Sequence, residues 1–299
     1  MPDPQFSHKK PNSYTMEPNQ KKNVVLAATD FTEVGAYAVD NAAALAKVVN
    51  AKVHIVHVIN KETKKKLRNE NKGPGHIDQL LQEEVSKLVS VHPVETSFES
   101  REGSIFSTIG EIAREQHALY VVIGTHGKIG IQRLLGSFIL KVIKRSPAPV
   151  LSVKKMSEGN VFKNIIYPLD LELGSKQKVK WANHLGKYAG STFHVLAINP
   201  SDKAGKNKVR ADLNQVLRIM DQHGVRHTET HAISGKSFHQ QIIQFARDKA
   251  ADAIIISTDP GKISWALYGS TDEKLIYNNE RIPVLCINSK DLNLIIGGI

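Results

Sequence analysis

The chain has 299 residues, 41% of them hydrophobic, with 40 basic against 29 acidic side chains and a net charge of +11. That is room for about two domains with real cores, and the charge favours anionic partners without speaking to fold. A single cysteine, Cys286, excludes an internal disulfide. With no signal-peptide pattern and no apolar run of about eighteen residues, the expectation is a soluble, cytoplasmic chain with no membrane partner.

In chain order, residues 1–21 are polar, proline-bearing and without periodicity, which predicts a disordered arm. "NVVLAATDF" reads as an apolar strand ending at Asp30, followed by the helix-period "EVGAYAVDNAAALAKVV" and a second strand, "AKVHIVHVIN". The lysine cluster at 61–66 reads as a solvated face. Later, "IFSTIGEIAREQHALYVVIGTHG" is a helix and a strand ending at Gly124, and "GSFILKVIKRS" leads into a closing strand, "SPAPVLSV".

The pattern then recurs. "NIIYPLDL" answers the first strand and ends in Asp170; "STFHVLAINP", "SFHQQIIQFARDKAADAIIISTD" and "ERIPVLCIN" answer the rest, with Cys286 at an apolar strand position. Strands that do not alternate, separated by helices, predict an α/β fold: two tandem doubly wound domains, each with a five-stranded parallel sheet flanked by helices. Each copy has about five strands and four helices in roughly 130 residues. The predicted boundaries are an arm at 1–21, a first domain at 22–155, a linker at 156–162, a second domain at 163–290 and a tail at 291–299. The linker is short, so the halves are expected to pack together, with "PVLSV" and "PVLCI" as the natural edges.

Ligands of open α/β sheets sit beyond the carboxyl ends of the strands, where strand order reverses. If the first and fourth strands are neighbours, Asp30 and the segment "GTHGKIGIQRLLGS" share one crevice. That segment is longer than βα connections usually are. Its chemistry suits an anion. Gly124 and Gly127 allow close backbone approach, Gly136-Ser137 opens a helix with unpaired N–H groups, Ser137 adds a hydroxyl and Lys128 a charge. The alternative makes the glycines turn punctuation and Ser137 a helix cap. Asp30 could accept from a base amine or ribose hydroxyl, or cap its own helix. His126 either touches phosphate or supports the turn.

These residues resemble the universal stress protein family, and the chain resembles a tandem of two such domains. The matching stretches are "VLAATDFTE", "VIGTHG", the "GS" helix start and "SPAPVLSV". The resemblance implies an adenine nucleotide alpha hydrolase-like fold and a stress-response module that binds ATP, alone or with Mg2+, or another adenine nucleotide. It implicates Ala28, Thr29 and Asp30 at the first strand end and Val58 against the base. Around the phosphates it implicates Gly124, Thr125, His126, Gly127, Lys128, Gly136, Ser137 and Phe138. The family pattern has nine residues between the second and third glycines, whereas eight separate Gly127 from Gly136 here. The second copy spans from Ser257 to Gly269 the same interval as the first from Gly124 to Gly136, so the shorter spacing reads as a variant geometry.

In that second copy Pro260 stands for Gly127 and has no N–H to give, while Asp259, opposite His126, would repel a phosphate by about 1 kcal/mol at about 4 Å even in water. It is not expected to hold ATP in the same manner. "THAISGKS" nearly spells a P-loop, but Thr230 replaces the first glycine, and Gly235 reads as a turn before a helix. His54 and His57 fall on opposite strand faces, and no histidine set completes a metal site. No RNP-type run or zinc-finger spacing supports nucleic acid. No nucleophile–base pair or Walker B-like run supports efficient turnover, so the reading is a nucleotide-dependent binding module, with slow ATP or phosphoester hydrolysis in the same pocket as the alternative. Pairing of the two halves is expected, and pairing between chains is open.

Overall fold

A computed structural model describes residues 22–73, 75–125, 136–156, 162–258 and 271–288. The predicted arm, tail and most of the linker lie outside them, as do His126, Gly127, Lys128, Asp259, Pro260 and Gly269. The first half runs β1 (Val24–Ala28), α1 (Glu33–Val48), β2 (Lys52–Ile59), α2 (Lys61–Asn69), α3 (Gly75–Val91), β3 (Thr96–Glu102), α4 (Ile105–Glu115), β4 (Ala118–Gly124), α5 (Gly136–Arg145) and β5 (Val150–Val153). The second runs β6 (Asn164–Leu169), α6 (Leu173–Gln177), α7 (Val179–Ala189), β7 (Thr192–Ala197), α8 (Lys203–Gln222), β8 (Arg226–His231), α9 (Phe238–Asp248), β9 (Ala253–Thr258), α10 (Thr271–Ile276) and β10 (Val284–Asn288).

All ten strands form one sheet in the order β3-β2-β1-β4-β5-β10-β9-β6-β7-β8. Every pairing is parallel except the central one, where β5 and β10 run antiparallel with Leu151 opposite Leu285. The strands are apolar on both faces because both faces are covered. Val25, Ala27, Val53 and Ile55 pack under α1 and α3, whereas Leu26, Val56, Val121 and Ile123 pack under α4 and α5. The internal repeat extends to side chains. His54 Nδ1 meets Ser97 Oγ at 2.9 Å, and His194 Nδ1 meets Thr228 Oγ1 at 2.8 Å, in the same register of the two halves.

Two helices were not anticipated. The lysine cluster itself forms α2, capped by the Asn60 side chain accepting from the Thr63 N–H. Only Leu67 is buried there, so no apolar periodicity announces it. The first helix of the second half is split into α6 and α7 at Lys178.

Switching from β2-β1 to β4-β5 reverses strand order at β1 and β4, which are direct neighbours with Ala28 opposite Ile123. At this point Gly124 packs against the first turn of α1. A Cβ there would stand 2.0 Å from the Val34 carbonyl oxygen, and a backbone atom cannot swing aside. We therefore expect Gly124→Ala to lower unfolding stability by about 3 kcal/mol. Gly73→Ala, where a Cβ meets nothing within 4 Å, should change it by under about 0.5 kcal/mol; urea denaturation of both variants checks this.

Candidate functional site

The carboxyl ends of β1, β2 and β4 meet beside the start of α1. Thr29 is the pivot. Its N–H donates to the Val56 carbonyl at 2.9 Å, its carbonyl accepts from His57 Nδ1 at 2.9 Å, and its hydroxyl accepts from the Phe31 N–H at 3.1 Å. The same hydroxyl donates to Glu84 Oε1 at 3.2 Å. Phe31 takes φ of 61°, a costly conformation for a bulky side chain, and stacks on the His57 ring at 4.6 Å. Since Nδ1 of His57 must carry the proton given to the carbonyl, its neutral ring has a lone pair at Nε2, 3.2 Å from the Thr63 hydroxyl. Burial holds His57 below its ordinary pKa and so favours that neutral form, against the pull of the Thr29 carbonyl and Asp30.

Asp30 is exposed. Its Oδ1 accepts from the Thr32 N–H at 3.0 Å and from the Thr32 hydroxyl at 2.5 Å, and Oδ2 takes no hydrogen bond among the described residues. The cap of α1 is Thr32, whose hydroxyl accepts from the Gly35 N–H. Asp30 sets that cap and does not itself close the helix. Gly35 has no room for a side chain: a Cβ would lie 2.8 Å from Asp30 Oδ1.

Of the other anticipated site residues, Ala28 lies beside β4 and opposite Val56 of β2, and Val58 is buried in the cluster under α4 and α5. Gly124 ends β4, and its missing side chain is required by Val34. The Thr125 hydroxyl is buried, 3.1 Å from Ser152 Oγ, so it serves the sheet. Gly136, Ser137 and Phe138 form the first turn of α5, whose leading N–H groups have no partner within the helix. His126, Gly127 and Lys128 lie outside the described residues.

Sequence reasoning did not anticipate Glu84 or the role of His57. Glu84 is brought to Thr29 from 55 residues away by α3, and its Oε2 is buried without a partner among the described residues. Burial raises its pKa, Asp30 adds to the rise, and the Thr29 hydroxyl opposes it. No local motif signals this pairing.

The equivalent strand end in the second half carries different side chains. Asp170 Oδ1 accepts from the Glu172 N–H at 2.9 Å, repeating the Asp30 turn. Five residues beyond the aspartate, however, Ser175 stands where the first half has Gly35, and its Oγ accepts from the Asp170 N–H at 2.9 Å. Eight residues beyond it, Lys178 stands where the first half has Ala38. Its buried Nζ donates to the carbonyls of Pro168 and Ser175, each at 2.7 Å, and lies 4.1 Å from the Tyr167 ring centre. Burial lowers Lys178 to about 7 while Asp170 and Asp272 pull it back up. Asp272, opposite on α10, is raised to about 6, mainly by burial.

A doubly wound α/β fold with an acidic strand tip and a glycine-ended strand at its topological switch point defines a class of ligand-binding proteins. The universal stress protein family model matches residues 22–154. A universal stress protein of Methanocaldococcus jannaschii, MJ0531, is 34% identical over 145 residues, 46% of this chain and 84% of that protein. The chain belongs to the universal stress protein family. In fold it is similar to a universal stress protein from Archaeoglobus fulgidus, with a TM-score of 0.70 at 18% identity, over 90% of this chain and 99% of that one. It is also similar to the functionally unknown protein PA1789 from Pseudomonas aeruginosa, with a TM-score of 0.58 at 16% identity, over 91% and 94%.

Two pH effects follow from these carboxyl and amino groups. Glu84 has a folded pKa above its ordinary 4.5, so the folded state holds more protons than the unfolded one in that window. Its contribution to stability therefore falls as pH rises through the window, and Glu84→Gln should flatten that fall in urea midpoints taken between about pH 4.5 and about pH 7. Lys178 titrates at about 7 when folded against 10.5 unfolded, so the unfolded state binds more protons between those values and stability climbs with pH. Between about pH 7 and about pH 8.5 the wild type should gain on the order of 1–2 kcal/mol that Lys178→Met does not gain.

Proposed function

We propose that this chain is a stress-response binding module, built as two tandem domains, that takes ATP or another adenine nucleotide at the carboxyl ends of β1 and β4. The observation that carries the reading is the adjacency of those two strands. It brings the strand ends that carry Asp30 and Gly124 side by side, and α5 opens at Gly136 further along the chain. An aspartate with one free oxygen suits a ribose hydroxyl or a base amine, and the first turn of a helix suits a phosphate. Val58 and Ala28 supply apolar surface beside them.

Among the described residues no three histidine, cysteine or carboxylate groups gather to hold a metal. Mg2+, where bound, arrives with the phosphates. Occupancy alters the surface offered to a partner. The second half, with Ser175 and Lys178 in place of Gly35 and Ala38, acts as a packing partner for the first.

Protein freed of carried-over ligand should gain thermal stability with ATP and magnesium, by about 2.7 kcal/mol at a hundredfold excess over Kd. Gly127→Pro should abolish the gain by removing a backbone donor. No shift at millimolar ATP in the wild type would overturn the reading, and an undiminished shift in the variant would misplace the site. Product formation in single turnover, well above the spontaneous rate, would turn the module into a hydrolase.

A further inference from the structure

The turn at the tip of β1 is tied down more heavily than its counterpart at the tip of β6. Phe31 holds φ of 61°, a left-handed conformation that a bulky residue keeps only where its surroundings impose it. Leu171, in the same place one residue past Asp170, is not left-handed. Yet both tips make the same Asx turn, with Asp30 Oδ1 accepting from the Thr32 N–H and Asp170 Oδ1 from the Glu172 N–H. The fold thus forms this turn without the strain, and the strain at Phe31 has another cause.

That cause is a linked set of side chains. The Phe31 N–H donates to Thr29 Oγ1 at 3.1 Å, which leaves the hydroxyl proton to Glu84 Oε1 at 3.2 Å. The Phe31 ring stacks on His57 at 4.6 Å, and His57 Nδ1 donates to the Thr29 carbonyl at 2.9 Å. The second half breaks each link. Leu169 stands for Thr29 and has no hydroxyl, and Ala197 stands for His57 and has no ring. There the Leu169 carbonyl accepts from the Ile198 N–H at 2.8 Å. Within the set, Glu84 alone comes from a helix, α3, and its Oε2 is buried without a partner among the described residues. A carboxyl group is desolvated there for one hydrogen bond, where a hydrocarbon side chain would pack at lower cost. Packing is therefore not its purpose.

Asp30 lies between Thr29 and Phe31, so fixing both neighbours fixes the direction of its side chain. Its Oδ1 is taken by Thr32, and its Oδ2 stays free at an exposed residue. We propose that Glu84 is a positioning residue: through the Thr29 hydroxyl it holds Phe31 left-handed and thereby aims Oδ2 of Asp30 at the nucleotide. The last step rests on the nucleotide reading above, whereas the hold on Phe31 is a property of the free protein.

The test has two arms on the full chain. In ligand-free protein followed by NMR, E84L should speed exchange of the Phe31 amide at least about fivefold and move the His57 ring protons out from over the Phe31 ring. T29V, which removes the acceptor itself, sets the full size of both effects, and E84Q, whose Oε1 still accepts, should show neither. In calorimetric titration with ATP, E84L should bind at least about fivefold more weakly and E84Q within about twofold of wild type. In the F31G background, where glycine takes positive φ freely, E84L should weaken binding by less than about twofold. Wild-type exchange and ring shifts in E84L would overturn the proposal whatever ATP does. Unchanged ATP affinity in E84L, or the whole loss persisting in F31G, would overturn the step from Phe31 to the ligand. No ATP binding by the wild type, with the NMR effects present, would overturn the nucleotide reading and uphold the hold on Phe31.

Discussion

The carbonyl oxygen of Val34 occupies the place where any side chain on residue 124 would begin. That contact lets the first turn of α1 lie directly against the tip of β4, and it draws the tips of β1 and β4 into one rim. Asp30, Thr32 and Gly35 then follow as a local chain: the aspartate orders the threonine, the threonine caps the helix, and the glycine leaves the aspartate room. The glycine that sequence alone associates with a phosphate is required by packing before any ligand arrives. Both uses coincide because a tip without side chains also leaves its backbone open.

The two halves place different side chains behind the same aspartate turn. Their strand order, their histidine–hydroxyl pairs and their Asx turns agree. Among the differences are one side chain five residues past the aspartate and another eight residues past it. Ser175 and Lys178 turn inward and satisfy backbone groups at the end of β6, with a lysine amine surrounded by carbonyls and an aromatic ring. A buried ammonium is tolerated only when its donors are met, and here carbonyl oxygens of the chain meet them.

Much of the architecture was legible because parallel strands covered on both faces leave long apolar runs, and "LYVVIG" or "AIIIST" admits few other readings. The neighbourhood of β1 and β4 followed from where such sheets reverse order. α2 was illegible as a helix since a lysine-dense segment with one buried leucine carries no periodic stripe. Glu84 and His57 were illegible as partners of Thr29 for another reason: they lie 55 and 28 residues away, and only the completed layers bring them together. Lys178 sits in a helical run where lysine ordinarily faces water, and its burial depends on the carbonyls of Pro168 and Ser175, which a linear reading does not place nearby.

The antiparallel seam between β5 and β10 has a directional consequence. Every other pairing is parallel, so reversing the chain at that one seam turns the second half upside down with respect to the first. The carboxyl ends of β1 and β4 and the end of β6 beside Lys178 therefore lie at opposite ends of a shared sheet. A molecule bound at one end is hidden from the other by the full length of the strands. The halves meet at that seam through Leu151 and Leu285 and beside it through side chains, with Lys154 Nζ donating to the Asn278 carbonyl at 2.7 Å.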